Sequence, residues 1–124
     1  MTTPLDDDLR TVSDIYSAAE LGDADMVERF LTADPGLATA AGGPRGWDAL
    51  TYLCFSSQLK HEPDRADGFL RAASLLLTAG ANPNTGYWEQ GHQPKPEWES
   101  VVYAASSLAR NPALTRLLLQ FGAD

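Results

Sequence analysis

The residues of this chain that could do chemistry are few, and their spacing points away from catalysis. The histidines are His61 and His92, and the cysteine is Cys54. His61 adjoins Glu62, and His92 lies among Glu89, Glu97 and Glu99. One imidazole with three carboxylates has the donor types for a metal but not the spacing of a known metal motif. No metal site is expected. Cys54 falls in the apolar run Tyr52-Leu53-Cys54-Phe55, where a thiol stays protonated and inert. No nucleophile elbow, phosphate loop or dinucleotide glycine pattern occurs. The expected catalytic set is therefore empty, and no cofactor is implied.

The elements around these residues show internal repetition. Ser13-Asp14-Ile15-Tyr16-Ser17-Ala18-Ala19 leads to Val27-Glu28-Arg29-Phe30-Leu31. Asp48-Ala49-Leu50-Thr51-Tyr52-Leu53-Cys54 leads to Leu75-Leu76-Leu77-Thr78-Ala79-Gly80-Ala81-Asn82. Glu99-Ser100-Val101-Val102-Tyr103-Ala104-Ala105 leads to Leu117-Leu118-Leu119-Gln120-Phe121-Gly122-Ala123-Asp124. Each unit reads as a small-residue helix, a turn and a bulkier helix. Alanines let the first helices approach closely, and leucines fill the space between pairs. The spacing predicts helices near 5–21, 24–33, 48–59, 65–79, 99–109 and 112–121. Asn111-Pro112 supplies an N-cap and a first helical proline. Asp64 with Asp67 is expected to start another helix, and Gly80 and Gly122 to end theirs. Residues 55–74 separate Cys54 from Leu75, whereas 20–29 separate Ala19 from Phe30, so the second unit carries about ten extra residues. Nothing between the helices alternates as a strand, and 85–98 reads as a loop rich in Gly and Pro.

Leu-Leu-Leu-Thr-Ala-Gly-Ala-Asn-Pro-Asn at 75–84 and Leu-Leu-Leu-Gln-Phe-Gly-Ala-Asp at 117–124 resemble the end of an ankyrin repeat, of the divergent bacterial type. Gly46 matches the glycine that precedes the family's turn motif. The Thr-Pro-Leu-His motif itself is replaced by Ser13-Asp14-Ile15-Tyr16, Asp48-Ala49-Leu50-Thr51 and Glu99-Ser100-Val101-Val102. Ser13, Asp48 and Glu99 are the expected acceptors at the helix starts. The resemblance implies an all-α, ankyrin-like solenoid in one domain, 1–124. It would have about three helix pairs, at 13–43, 46–84 and 97–124, joined by long loops. Such proteins bind other proteins through inter-repeat loops and first helices. Position by position, that implies contact residues at Val12, Trp47 and Trp98. It also implies exposed contacts at Glu20, Leu21, Phe55, Ser56, Ser106 and Ser107. Arg45, Tyr87 and Trp88 lie in adjoining loops and join the candidate surface. Tryptophan, tyrosine and arginine dominate interface energetics, so Trp47 and Trp98 on one side of the stack would be its centre. The competing reading is that both indoles clamp loops to the first helices. Tyr16, Tyr52 and Tyr103 read as packing residues.

Charge narrows the partner. The formal net charge of -8 repels phosphate backbones and anionic lipid, so neither nucleic acid nor a membrane is the expected partner. A basic protein, or a basic patch on one, is favoured by the same field. No stretch is apolar enough for a membrane span, and Met1-Thr2-Thr3-Pro4-Leu5 does not open like a signal peptide, so a cytoplasmic location is expected. Asp6, Asp7, Asp8 and Arg10 can give the first unit a polar outer face. Leu114, Leu117, Leu118 and Phe121 have no such cover, and some of them should face outward. That implies either a piece of a longer ankyrin-like protein, with a regulatory or targeting role, or a homodimer through the C-terminal repeat. A hydrolase or metal protein is the reading the residues support least.

Overall fold

The computed structural model describes residues 12–91 and 93–124. The N-terminal residues expected to open the first helix, with Asp6, Asp7, Asp8 and Arg10, lie outside the described residues, as does His92.

Side chains start the helices. Helix α1 spans Ile15–Leu21, and its cap is Asp14, not Ser13. The Asp14 carboxylate accepts from the Ser17 amide at 2.8 Å, and the Ser17 hydroxyl accepts from the Asp14 amide at 3.2 Å. This reciprocal pair satisfies two of the amides a helix start leaves free. Helix α2, Ala24–Ala33, is capped by Asp23. Strands β1, Ala41–Gly42, and β2, Trp47–Asp48, form a short antiparallel hairpin. Asp48 then caps α3, Ala49–Cys54, through the Thr51 amide at 2.9 Å. The extra residues of the second unit fold as α4, Ser57–His61, and a 3-10 turn at Pro63–Arg65. Asp64 sits in that turn and caps nothing; α5, Ala66–Thr78, begins after Arg65 without a side-chain cap.

Strands β3, Gly86–Glu89, and β4, Glu97–Ser100, form a second antiparallel hairpin. Ser100, not Glu99, caps α6, Val101–Tyr103, which continues as a π-helical turn over Ala104–Leu108. Asn111 caps the last helix, α7, Pro112–Gln120, by accepting from the Leu114 amide at 3.0 Å. Gly80 and Gly122, just past α5 and α7, both take positive φ.

The all-α solenoid expectation is overturned. The described residues are 58% helical, yet two two-stranded antiparallel sheets stand between helix pairs, at residues expected to be loops. Four of the six helices fall close to their expected places; 48–59 is broken at Phe55-Ser56, and the helix expected over 5–21 begins only at Ile15, with 12–14 non-helical and 5–11 outside the described residues. Buried Ser56 causes the break: its hydroxyl donates to the Glu20 carbonyl and also accepts from the Gln58 amide at 3.1 Å. Helix α1 packs on α3, and α2 on α5. Ala18, Ala19, Ala72, Ala73, Ala104 and Ala105 are fully buried, so backbones come close, while Phe69, Leu76, Leu114 and Leu118 fill the core. Arg71 of α5 bridges to α2, reaching Asp25 at 2.7 Å and Glu28 at 3.2 Å. These pairs are exposed and contribute little to stability. Among the described residues, no helix is long and apolar enough to cross a membrane.

Candidate functional site

The two hairpins and the helices beneath them carry a row of aromatic side chains. Tyr16 meets Tyr52 at 5.6 Å between ring centroids, and Tyr52 meets Trp47 at 5.2 Å. Trp47 stacks on Tyr87 at 4.5 Å and 29°, and Phe55 packs edge-on to Tyr87 at 5.0 Å. The Arg45 guanidinium lies 5.0 Å from the Trp47 ring centroid. The structure thus brings together Arg45, Trp47, Phe55 and Tyr87 of the expected contact set.

This row clamps the hairpins to the helices. The Tyr52 hydroxyl donates to the Gly42 carbonyl at 2.7 Å and accepts from the Arg45 amide at 2.8 Å. The Tyr16 hydroxyl donates to the Ala40 carbonyl at 3.2 Å. Thr85, at the foot of β3, donates to the Asp48 carboxylate and so fixes the second hairpin to the cap of α3. Burial raises the Tyr87 phenol above its ordinary range; Glu89 and Glu99 raise it further, and Arg45 opposes them. We expect Tyr52→Phe to cost about 1–2 kcal/mol, because two backbone groups of the first hairpin lose a partner. Urea unfolding of both proteins checks this, and an unchanged midpoint would show that the hydroxyl holds nothing.

Trp98 does not belong to this row. Trp47 stands one residue before its helix cap, Asp48, whereas Trp98 stands two before its cap, Ser100. A shift of one residue along a strand moves the side chain to the opposite face. In the ladder Tyr87 opposes Glu99, while Trp88 opposes Trp98. Tyr87 therefore shares one hairpin face with Glu89, Glu97 and Glu99, against Trp47. Trp88 and Trp98 share the other. The expectation that Trp47 and Trp98 line one side is corrected: Trp47 is a half-buried clamp. Trp88 and Trp98 pack edge to face at 5.4 Å, and they are 57% and 45% exposed. Gly86 makes the strand pairing possible, since any Cβ there would collide with the Glu99 carbonyl of β4.

The other expected positions divide. Ser106 is exposed on the π-helical turn, its hydroxyl donating to the Val102 carbonyl at 2.8 Å. Ser56 is buried and takes no part in the surface. Tyr103, expected in the packing, is exposed, while Leu114 and Leu118, expected near an open end, are buried. Phe121 is exposed as expected, and Leu119 and Leu108 join it. Cys54 is fully buried, and burial, with Asp48 adding, pushes its thiol far above the usual range. Among the described residues, no three His, Cys, Asp or Glu side chains converge as metal ligands. No protein-family model matches the chain, and no curated protein or solved structure matches it either.

Proposed function

We propose that this chain is a protein-binding domain that holds its partner on the second hairpin, with Trp88 and Trp98 at the centre of the contact. The observation that carries this reading is the pair itself: two tryptophans side by side, both largely open to water. Exposed indoles lose solvation entropy until something covers them, and buried indoles dominate the energy of protein interfaces. The aromatic row beneath holds the hairpin in place, so little order would be lost on binding. The likeness of 75–84 and 117–124 to the ends of ankyrin repeats supports the same class, since members of that family bind proteins. A lone buried thiol agrees with a cytoplasmic setting.

The test compares the wild-type chain with Trp88→Ala and Trp98→Ala. A partner captured from native extract is purified and titrated against all three by calorimetry. Each substitution should weaken binding by about 2 kcal/mol or more, roughly thirtyfold, with the melting temperature nearly unchanged. Equal affinity across the three proteins would remove the surface from consideration.

A further inference from the structure

Carboxylates outnumber basic side chains in this chain, 17 to 9, and most of its arginines find partners. Arg71 meets Asp25 and Glu28, and Arg65 meets Glu62. Arg45 lies over Trp47, and Arg29 reaches the Met26 sulfur at 3.8 Å. Arg110 and Arg116 differ: among the described residues neither meets a carboxylate or an aromatic ring. Both line one cavity of about 420 Å³ between the π-helical turn and α7. No carboxylate lines it, and no residue of either hairpin does. Thr115, Arg116 and Leu119 reach it from one face of α7, at helical spacing.

The backbone singles out Arg110. It takes φ 51° and is the one non-glycine residue with positive φ among the described residues. It stands one residue past Ala109, the cap of the π-helical turn, as Gly80 and Gly122 stand one past Ala79 and Phe121. Glycine suits that place because it has no Cβ. Arginine there accepts backbone strain and puts a guanidinium in the cavity wall. We infer that this cavity binds a phosphate monoester through the guanidiniums of Arg110 and Arg116. The cavity is separate from the second hairpin, so the inference stands or falls apart from the partner contact proposed there.

The available donors select the ligand. The Ser106 hydroxyl already donates to the Val102 carbonyl at 2.8 Å, and the Thr115 hydroxyl to the Asn111 carbonyl at 2.9 Å. The Asn111 side-chain oxygen accepts from the Leu114 amide, which leaves its NH2 group. Two guanidiniums and one carboxamide can still donate, a set that suits an anion with several acceptor oxygens. A phosphate monoester brings about two negative charges and three terminal oxygens, matching two guanidiniums. A carboxylate or a phosphodiester brings one charge. Guanidinium also grips phosphate through paired N–H bonds. The cavity is larger than a phosphate group, and Leu119, 51% exposed, lines it too. An apolar group on the ester would cover that leucine. The net charge of -8 opposes an anion at long range, but salt screens that field beyond about 8 Å, and the lining itself supplies positive charge alone.

The test titrates the full chain by calorimetry at physiological salt. Phenyl phosphate should bind about tenfold or more tighter than phenyl sulfate, which has the same ring and one charge. Inorganic phosphate should bind more weakly than phenyl phosphate, and Leu119→Ser should remove that difference. Arg116→Gln should weaken phenyl phosphate about tenfold with the melting temperature unchanged. Arg110→Gly should weaken it as much yet raise the melting temperature by a few degrees, because glycine relieves the left-handed backbone. An arginine kept only for structure would not lose binding while gaining stability. A blocked phosphoserine–leucine dipeptide bound more tightly than phenyl phosphate makes the source a phosphorylated protein; equal binding makes it a small phosphate ester. Equal affinity for phenyl phosphate in wild type, Arg110→Gly and Arg116→Gln overturns the inference. Equal binding of the sulfate overturns it, as does the absence of heat from any monoester at millimolar concentration. Arginine-dependent binding of an oligothymidylate without binding of phenyl phosphate overturns it in favour of nucleic acid.

Discussion

Replacing Phe69 by alanine is expected to lower the stability of this domain by about 4 kcal/mol. Phe69 is the largest side chain with no exposed surface. It lies on α5, which packs against α2, α3 and α7, so a cavity there would open at the meeting point of the helix pairs. Its ring also rests on the turn between α1 and α2, where Gly22 approaches it. The core cluster around it is rich in alanine, with Ala18, Ala19, Ala72 and Ala73 among its members, and such short side chains fill little of a cavity. The loss is therefore placed toward the upper part of the usual range. A domain of this size has only about 5–15 kcal/mol in total, so the variant should melt far below the wild type. Urea unfolding followed by circular dichroism measures it. A loss under about 1.5 kcal/mol would mean that Phe69 is not at the centre of the core.

The helices were legible in the sequence because their signals are local. Asp48 and Asn111 cap through their own side chains, and the alanine and leucine spacing marks the buried faces. The errors at Asp14 and Ser100 are of one residue, between neighbours that can each accept a hydrogen bond. They mattered beyond the helix ends. Aligned on the true caps, Glu99 is the counterpart of Trp47, and Trp98 is the counterpart of Gly46. Only that register shows that the two tryptophans serve different purposes. The first hairpin has two-residue strands, too short for any alternation to register. The second had a signal that was available: Gly-Tyr-Trp-Glu and Glu-Trp-Glu-Ser, rich in aromatic residues, flank a stretch of glycine and proline. Exposure was the least legible property. Tyr103, Leu108 and Leu119 lie on helices whose pattern says core, and whether such a face is covered depends on neighbours that periodicity does not reveal.

Gly22→Ala is expected to cost about 3 kcal/mol, from two separable causes. Gly22 ends α1 in the left-handed region, at φ 69° and ψ 27°. Its amide donates to the Ala19 carbonyl at 3.1 Å, and the next amide, of Asp23, donates to the Ala18 carbonyl at 2.9 Å. This closes the helix and aims the chain into α2 two residues later. An L residue in that region costs about 1–2 kcal/mol. The second cause is space: a Cβ at Gly22 would stand 2.7 Å from the Phe69 ring. The ring is fixed by the core around it, so overpacking adds about 1–3 kcal/mol. Asparagine separates the two, because it tolerates the left-handed region but carries the same Cβ. Gly22→Asn should therefore recover up to about 1 kcal/mol relative to alanine while staying well below wild type. Shortening the ring relieves only the second cause. In a Phe69→Leu background, Gly22→Ala should cost about 1 kcal/mol less than in the wild type, a coupling that a double-mutant cycle by urea unfolding measures. Strict additivity would mean that the turn and the ring do not touch. A neutral Gly22→Ala would mean that the α1–α2 turn takes a different backbone conformation.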